Sequence, residues 1–222
     1  MSAGFPPNAM FLVVEGGDGA GKSTQVERLA SFLRDAGRDP VVTREPGGTA
    51  VGAAIRDLLL DPANGGLSPR AEALLYAADR AQHVLEVIRP ALEAGRVVIS
   101  DRYLDSSLAY QGLARGLGVG EIEDISRWAT GGLLPDLVIL LDVAAPEGRR
   151  RLSGADRAAD RMADRMAGAD RIEQEGDAFH AKVANAYWAL SRAYPERFAV
   201  VDGGGSPDEV AAAIRRHVEK LL

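Results

Sequence analysis

Five short, nearly continuous apolar runs punctuate the chain: Phe11–Val14, Pro40–Thr43, Val97–Ser100, Leu137–Leu141 and Phe198–Val201. Runs that do not alternate predict strands covered on both faces. Between them, apolar residues recur at helical spacing over Ser23–Ala36, Val51–Leu60, Ala71–Ala94, Ile122–Thr130, Asp177–Tyr194 and Pro207–Leu222. Strands alternating with helices of this length predict βαβ units, a parallel sheet and the α/β class. Pro90 predicts a bend or an end in the helix that starts at Ala71. Gly37, Gly95 and Gly203 follow predicted helices or strands, where a positive φ costs little. No Pro-, Gly- or Ser-rich stretch divides the chain. One domain over residues 1–222 is expected, with residues 1–9 as a flexible leader.

Residues 155–171 read ADRAADRMADRMAGADR, a near-repeat with a period of four. Four residues advance a helix by about 400°, so Arg157, Arg161 and Arg165 stay within roughly 80° of one face. Taken alone, the stretch fits a solvated helix whose local Asp–Arg pairs contribute at most a few tenths of a kcal/mol each.

With 46% hydrophobic and 26% charged residues, the composition is that of a soluble globular protein. The formal charge of −6 gives no sequence-wide basic field. Neither nucleic acid nor an anionic membrane is therefore an expected partner, and any anionic ligand must be held by local charge. The chain has no cysteine, which excludes disulfides and zinc–thiolate sites. The opening MSAGFPPNAM has neither a basic start nor an apolar stretch of signal-peptide length. Apolar runs such as Leu137–Leu141 are far short of a membrane span. A cytoplasmic location is expected.

One motif changes the picture. Gly16-Gly17-Asp18-Gly19-Ala20-Gly21-Lys22-Ser23-Thr24 follows the first predicted strand and opens a predicted helix, which is the context a phosphate-binding P-loop requires. Its glycines let backbone N–H groups turn inward around a polyphosphate at the positive end of the helix. Lys22 supplies a mobile charge to the β- and γ-phosphates, and the Ser23 hydroxyl suits Mg²⁺. The chain is expected to bind a nucleoside triphosphate. Lysine occurs only at 22, 182 and 220, so no N/T-K-x-D guanine motif exists and a GTPase is excluded. A small kinase fits best. A magnesium-side carboxylate should end a buried strand, and Asp101 and Asp142 both qualify. Asp101 is preferred because Arg102 and Tyr103 follow it at a strand's carboxyl end, where open α/β sheets place ligands.

Further segments extend the match beyond one motif: TREPGGT (Thr43–Thr49), LLYAADRAQH (Leu74–His83), DRYLDSSLAYQG (Asp101–Gly112), PDLVILLDV (Pro135–Val143) and DRIEQEG (Asp170–Gly176). Together with EGGDGAGKST (Glu15–Thr24) they resemble the bacterial thymidylate kinases in order and spacing over nearly the whole chain. The resemblance implies a nucleoside monophosphate kinase fold, a five-stranded parallel sheet flanked by helices. It implies the reaction ATP + dTMP → ADP + dTDP with Mg²⁺, and a homodimer. Arg102 and Arg80 would hold the dTMP phosphate, Tyr76 would stack on thymine, and Ser107 and Gln111 would face the base edge. Tyr110 would face the deoxyribose, and Asp18 would lie near the sugar 3′-hydroxyl and the metal. Arg44 and Glu45 would close the site. Residues 149–171 fall where the family places its mobile LID.

Some thymidylate kinases carry a basic residue in the P-loop two positions after the aspartate. Here Gly19 and Ala20 follow Asp18, leaving Lys22 as the loop's cation. The LID would then supply the missing charge, with at least one of Arg157, Arg161 and Arg165 aimed at the transferring phosphoryl and Arg151 near the adenine. The repeat is longer than the family pattern, which leaves the individual assignment open between these arginines and a solvated helix. Other residues have plainer roles available: Tyr76 as core, Ser107 and Gln111 as loop hydrogen-bonders, and Asp18 as a loop-shaping residue. His83, His180 and His217 read as structural or surface residues. A kinase for another deoxynucleoside monophosphate, and a P-loop binding module without this chemistry, remain as alternatives.

Overall fold

The computed structural model describes residues 4–153 and 169–222. All five predicted strands form, each extended by one or two residues: β1 (Met10–Glu15), β2 (Pro40–Arg44), β3 (Val97–Asp101), β4 (Leu137–Asp142) and β5 (Phe198–Asp202). They build one parallel sheet in the order β2-β3-β1-β4-β5. β1 sits at its centre, its six residues all buried. The strand period of two splits those residues between two cores. Phe11 and Val13 join Val98, Val138 and Leu140 on one face, while Met10, Leu12 and Val14 join Ile99, Ile139 and Leu141 on the other. Helices cover both faces, which explains why the strands read as unbroken apolar runs.

The second face is closed by α1 (Lys22–Asp35), through Val26, Leu29 and Leu33, and by a C-terminal helix at Pro207–Val218 through Val210, Ile214 and Val218. A capping box between Ser206 and Glu209 starts that last helix. On the way stand α2 (Ala50–Leu60), capped by Thr49 Oγ1, and α3 (Pro69–His83), capped by Ser68. The helix expected to bend or end near Pro90 does neither by breaking. It widens into a π-helical turn over Val84–Ile88 and resumes as α4 (Arg89–Glu93). Proline cannot donate an i−4 bond, and a widened turn just upstream accommodates that loss. α5 (Leu104–Ser107) runs into a second π-helical stretch, Leu108–Ala114, in a region where no helix was expected. α6 (Val119–Thr130), α7 (Ala145–Ser153), α8 (Asp177–Ala193) and α9, the C-terminal helix, complete the order.

One expectation needs correction. Gly37 and Gly95 adopt positive φ, at 75° and 73°, but Gly203 does not. Gly203 is small for another reason, since a Cβ there would lie 2.5 Å from Val143 Cγ2. Phe5 and Ala9 pack against the first core, and Ala9 N donates to Pro6 O at 2.9 Å. An apolar ring beside an apolar face accounts for this.

Candidate active site

The P-loop leaves the carboxyl end of β1 beside the carboxyl end of β3, where Val14 pairs with Asp101. Gly16 has φ 145°, and a Cβ there would meet Leu141 O at 2.8 Å. Gly19 has φ 75° and packs on Gly148. Side chains at either position would force the loop open. Lys22, the loop's cation, opens α1. It is buried at 9% exposure, and its Nζ donates to Gly16 O (3.2 Å) and Gly17 O (3.0 Å). Burial, with Arg102 as a like charge, lowers its pKa, against the pull of Asp101, Asp18 and Glu15.

Asp101 and Ser23 meet at this edge, with Ser23 Oγ donating to Asp101 Oδ2 at 3.4 Å. Asp101 Oδ1 is buried with no hydrogen-bond partner among the described residues. Asp142 instead accepts from the Trp188 indole at 3.1 Å. A hydroxyl and an orphaned carboxylate oxygen are the hard donors that magnesium takes. No group of three or more His, Cys, Asp or Glu gathers as a metal cage among the described residues. Magnesium, though, is commonly held by one or two protein oxygens plus phosphate.

Arg102 holds the centre of the site. It is the one non-glycine residue with positive φ (72°) among the described residues, and its N–H is held by Val14 O at 3.0 Å. That conformation costs on the order of 1 kcal/mol or more in an L-residue. It turns the guanidinium toward the P-loop. Nη1 donates to Gly16 O and Ser106 Oγ, both at 3.1 Å, and to the Tyr187 hydroxyl at 3.2 Å; Nη2 reaches Asp18 Oδ1 at 2.6 Å. Its carbon lies 5.3 Å from the centre of the Tyr110 ring. Tyr110 also donates to Asp18 Oδ2 at 3.4 Å, and His180 Nδ1 lies 4.0 Å from the same oxygen. Burial alone would raise the Asp18 pKa, but Arg102, Lys22 and His180 outweigh it and hold the carboxyl below its usual range.

Arg80 stands with a different set. It is buried at 1% exposure, and its donors go to Glu45 Oε2 (2.8 Å), Ser126 Oγ (3.2 Å), Tyr103 O (3.2 Å) and Ser107 Oγ (3.0 Å). None of these partners is shared with Arg102. Glu45 is buried too and accepts from His83 Nδ1, which makes His83 structural as expected. Arg44 is exposed at the end of β2, level with Asp101. Tyr76 is half-buried and belongs to neither apolar core. Gln111 is buried and donates to Glu72. Arg151 donates to Glu147 (3.0 Å) and to Gly203 O (3.0 Å), beyond the P-loop at the end of β5. Arg157, Arg161 and Arg165 lie outside the described residues.

Several site residues escape a reading of the sequence. Glu15 ends β1 fully buried and accepts from Tyr103 N (2.9 Å), Ser106 N (3.0 Å), Ser106 Oγ (2.7 Å) and the Tyr187 hydroxyl (2.8 Å). A charged residue closing an apolar strand was the available signal. Burial raises its pKa despite Arg102 nearby. Tyr187 and His180 arrive from α8 and carry no local signal.

A P-loop between β1 and α1, with Arg102 turned onto it from the carboxyl end of β3 in one parallel sheet, has the arrangement of a P-loop kinase of the nucleoside monophosphate type. Residues 14–214 match the family profile described as thymidylate kinase. Three similar curated proteins carry that name. One from Clavibacter michiganensis subsp. michiganensis is 51% identical over 96% of both chains. One from Leifsonia xyli subsp. xyli is 53% identical over 93% of this chain and 92% of its own. One from Desulfovibrio desulfuricans is 47% identical over 96% of both. The chain belongs to the thymidylate kinase family and is an ATP-dependent phosphotransferase.

Proposed function

We propose that this chain transfers the γ-phosphoryl group of ATP to dTMP, giving ADP and dTDP, within one domain whose LID is residues 149–171. The observation that carries this reading is Arg102, which its left-handed backbone turns onto Gly16 of the P-loop and over the Tyr110 ring. A phosphate monoester has a second pKa of about 6, so its attacking oxygen is already anionic at neutral pH and no general base is needed. The task is to bring two anions into line and neutralise the charge in transfer. Lys22 exchanges its loop carbonyls for the donor's phosphates. Arg102 exchanges Asp18 for the acceptor phosphate, leaving Asp18 for the sugar hydroxyl. Tyr76 stacks on the base, while Ser107, with Arg80 beside it, and Gln111 take its edge.

Ser23 and Asp101 would hold Mg²⁺, which when bound neutralises phosphate charge; Asp101→Asn should shift the magnesium titration of activity upward. Exposed Val51, Leu58, Leu74 and Leu85, on α2, α3 and the turn after it, support a homodimer. A concentration-independent monomer in light scattering would reject it. No helix among the described residues is long and apolar enough to cross a membrane, and we place the enzyme in the cytoplasm. The deciding experiment is ADP release with dTMP, dUMP, dCMP, dGMP, AMP and no acceptor. A thymidine optimum is expected; another optimum gives a different monophosphate kinase, and acceptor-independent release overturns the reading.

A further inference from the structure

α3 carries a buried carboxylate that phosphoryl transfer does not use. Glu72, in the first turn, is 1% exposed. It accepts from Gln111 Nε2 (2.8 Å), from Arg115 Nε (3.3 Å) and Nη2 (3.2 Å), and from Arg171 Nη2 (2.7 Å). Arg171 is itself fixed, with Nε on Leu59 O at 2.7 Å and its backbone N on Leu60 O at 2.9 Å. Arg115 is held from its other side by Glu175 at 2.5 Å and covers the Phe179 ring at 4.4 Å. Burial by itself would raise the Glu72 pKa, but the bonds from Gln111, Arg171 and Arg115 outweigh it and hold the group below its ordinary value.

The consequence falls on Gln111. An ionised carboxylate has acceptors only, so the end of the amide facing Glu72 must be its NH₂. Gln111 is 1% exposed and lies on the π-helical stretch, directly after Tyr110. No described residue donates to its Oε1. The amide is therefore oriented by charge, and its carbonyl end points away from Glu72 with no described donor.

We propose that Glu72 is a positioning residue for base selection: it locks the Gln111 amide so that its carbonyl meets the acceptor base, favouring a pyrimidine with an N3–H over one whose N3 is a lone pair. This rests on the reading of Gln111 as a base-edge residue. Thymine and uracil offer an N3–H to that carbonyl. Cytosine sets a lone pair against it, and two opposed, unsatisfied acceptors cost on the order of tenfold or more in discrimination. Arg115 and Arg171 act by keeping Glu72 ionised and in place.

The test compares Glu72→Gln, Glu72→Asp, Gln111→Ala and the double variant Glu72→Gln/Gln111→Ala in the full chain. kcat/KM is measured for dTMP, dUMP and dCMP, with KM for ATP and the melting temperature alongside. A glutamine at 72 can accept or donate, so the Gln111 amide is free to turn. The dTMP-to-dCMP preference should fall by roughly tenfold, the cost of one mispaired polar contact. The dTMP-to-dUMP ratio and the KM for ATP should hold, because thymine and uracil share the N3–H edge. In the double variant, Glu72→Gln should add no further change in preference to that of Gln111→Ala. A preference lowered by Gln111→Ala but untouched by Glu72→Gln overturns the proposal and leaves the base-edge reading standing. A preference unmoved by Gln111→Ala overturns both. Equal losses on all three substrates would make Glu72 purely structural, which also overturns it. If Glu72→Gln fails to fold, Glu72→Asp, which keeps the charge but draws it back from Gln111, is judged by the same ratios.

Discussion

Arg102 Nη2 lies 2.6 Å from Asp18 Oδ1, an ion pair that joins the carboxyl end of β3 to the P-loop. The two residues stand 84 positions apart in the chain. In the proposed reaction this is the bond that an incoming acceptor phosphate would replace.

Arg102→Ala should therefore raise KM for dTMP by roughly 10–100-fold, the usual worth of a hydrogen bond to a charged group. KM for ATP should change little. Steady-state kinetics with each substrate varied checks this. An effect confined to ATP would move Arg102 to the donor side.

Lys22→Met should lower kcat by about 10²–10³, the typical loss when a preorganised cation is removed from the transferring group. Its side chain is buried among loop carbonyls and faces the like charge of Arg102. An uncharged chain of similar length should leave the melting temperature near the parent's. Activity within tenfold of the parent would undo the P-loop assignment.

Asp79 provides a pH signature. It is buried, its Oδ1 accepts from Gly47 N at 2.9 Å, and its Oδ2 has no partner among the described residues. Burial, then the nearby Glu45 carboxylate, push its pKa up to about 6. A raised carboxyl pKa contributes stability below the unfolded value, near 4, that is lost as the pH rises through about 6. Asp79→Asn keeps the acceptor for Gly47 and cannot ionise. Its melting temperature relative to the parent should rise between pH 4 and pH 8, by roughly 2–4 °C for each kcal/mol recovered. Parallel melting curves at the two pH values would contradict this.

The arginine-rich segment is tested by removing Arg157, Arg161 and Arg165 together. By analogy with arginine fingers, kcat at saturating ATP and dTMP should fall by up to about 10³, and single variants should show which residue carries the effect. A triple variant with parental kcat would reduce the repeat to a solvated helix.

What the sequence determined by itself is local. Apolar runs of strand length, covered on both sides, defined five strands to within two residues, and a parallel sheet followed from the helices between them. The P-loop was legible because its chemistry is contiguous: glycines, Lys22 and Ser23 act on one ligand within nine positions. Tertiary structure decided everything that depends on two distant segments meeting. Asp101, preferred in the sequence only for the Arg102 and Tyr103 that follow it, faces Ser23 because β3, not β4, ends beside that side of the loop, and no strand's own composition shows which neighbour it will have. Arg80 and Arg102 look alike in sequence, yet burial against Glu45, Ser107 and Ser126 ties one down while a left-handed backbone turns the other into the site. Glu15, Tyr187 and Glu72 gain their roles only through partners 81 to 172 residues away for the first two and 39 to 99 for the third. A buried charge needs a matching donor wherever the fold can supply one, and that supply is a property of packing, which residue order alone does not encode in any local pattern.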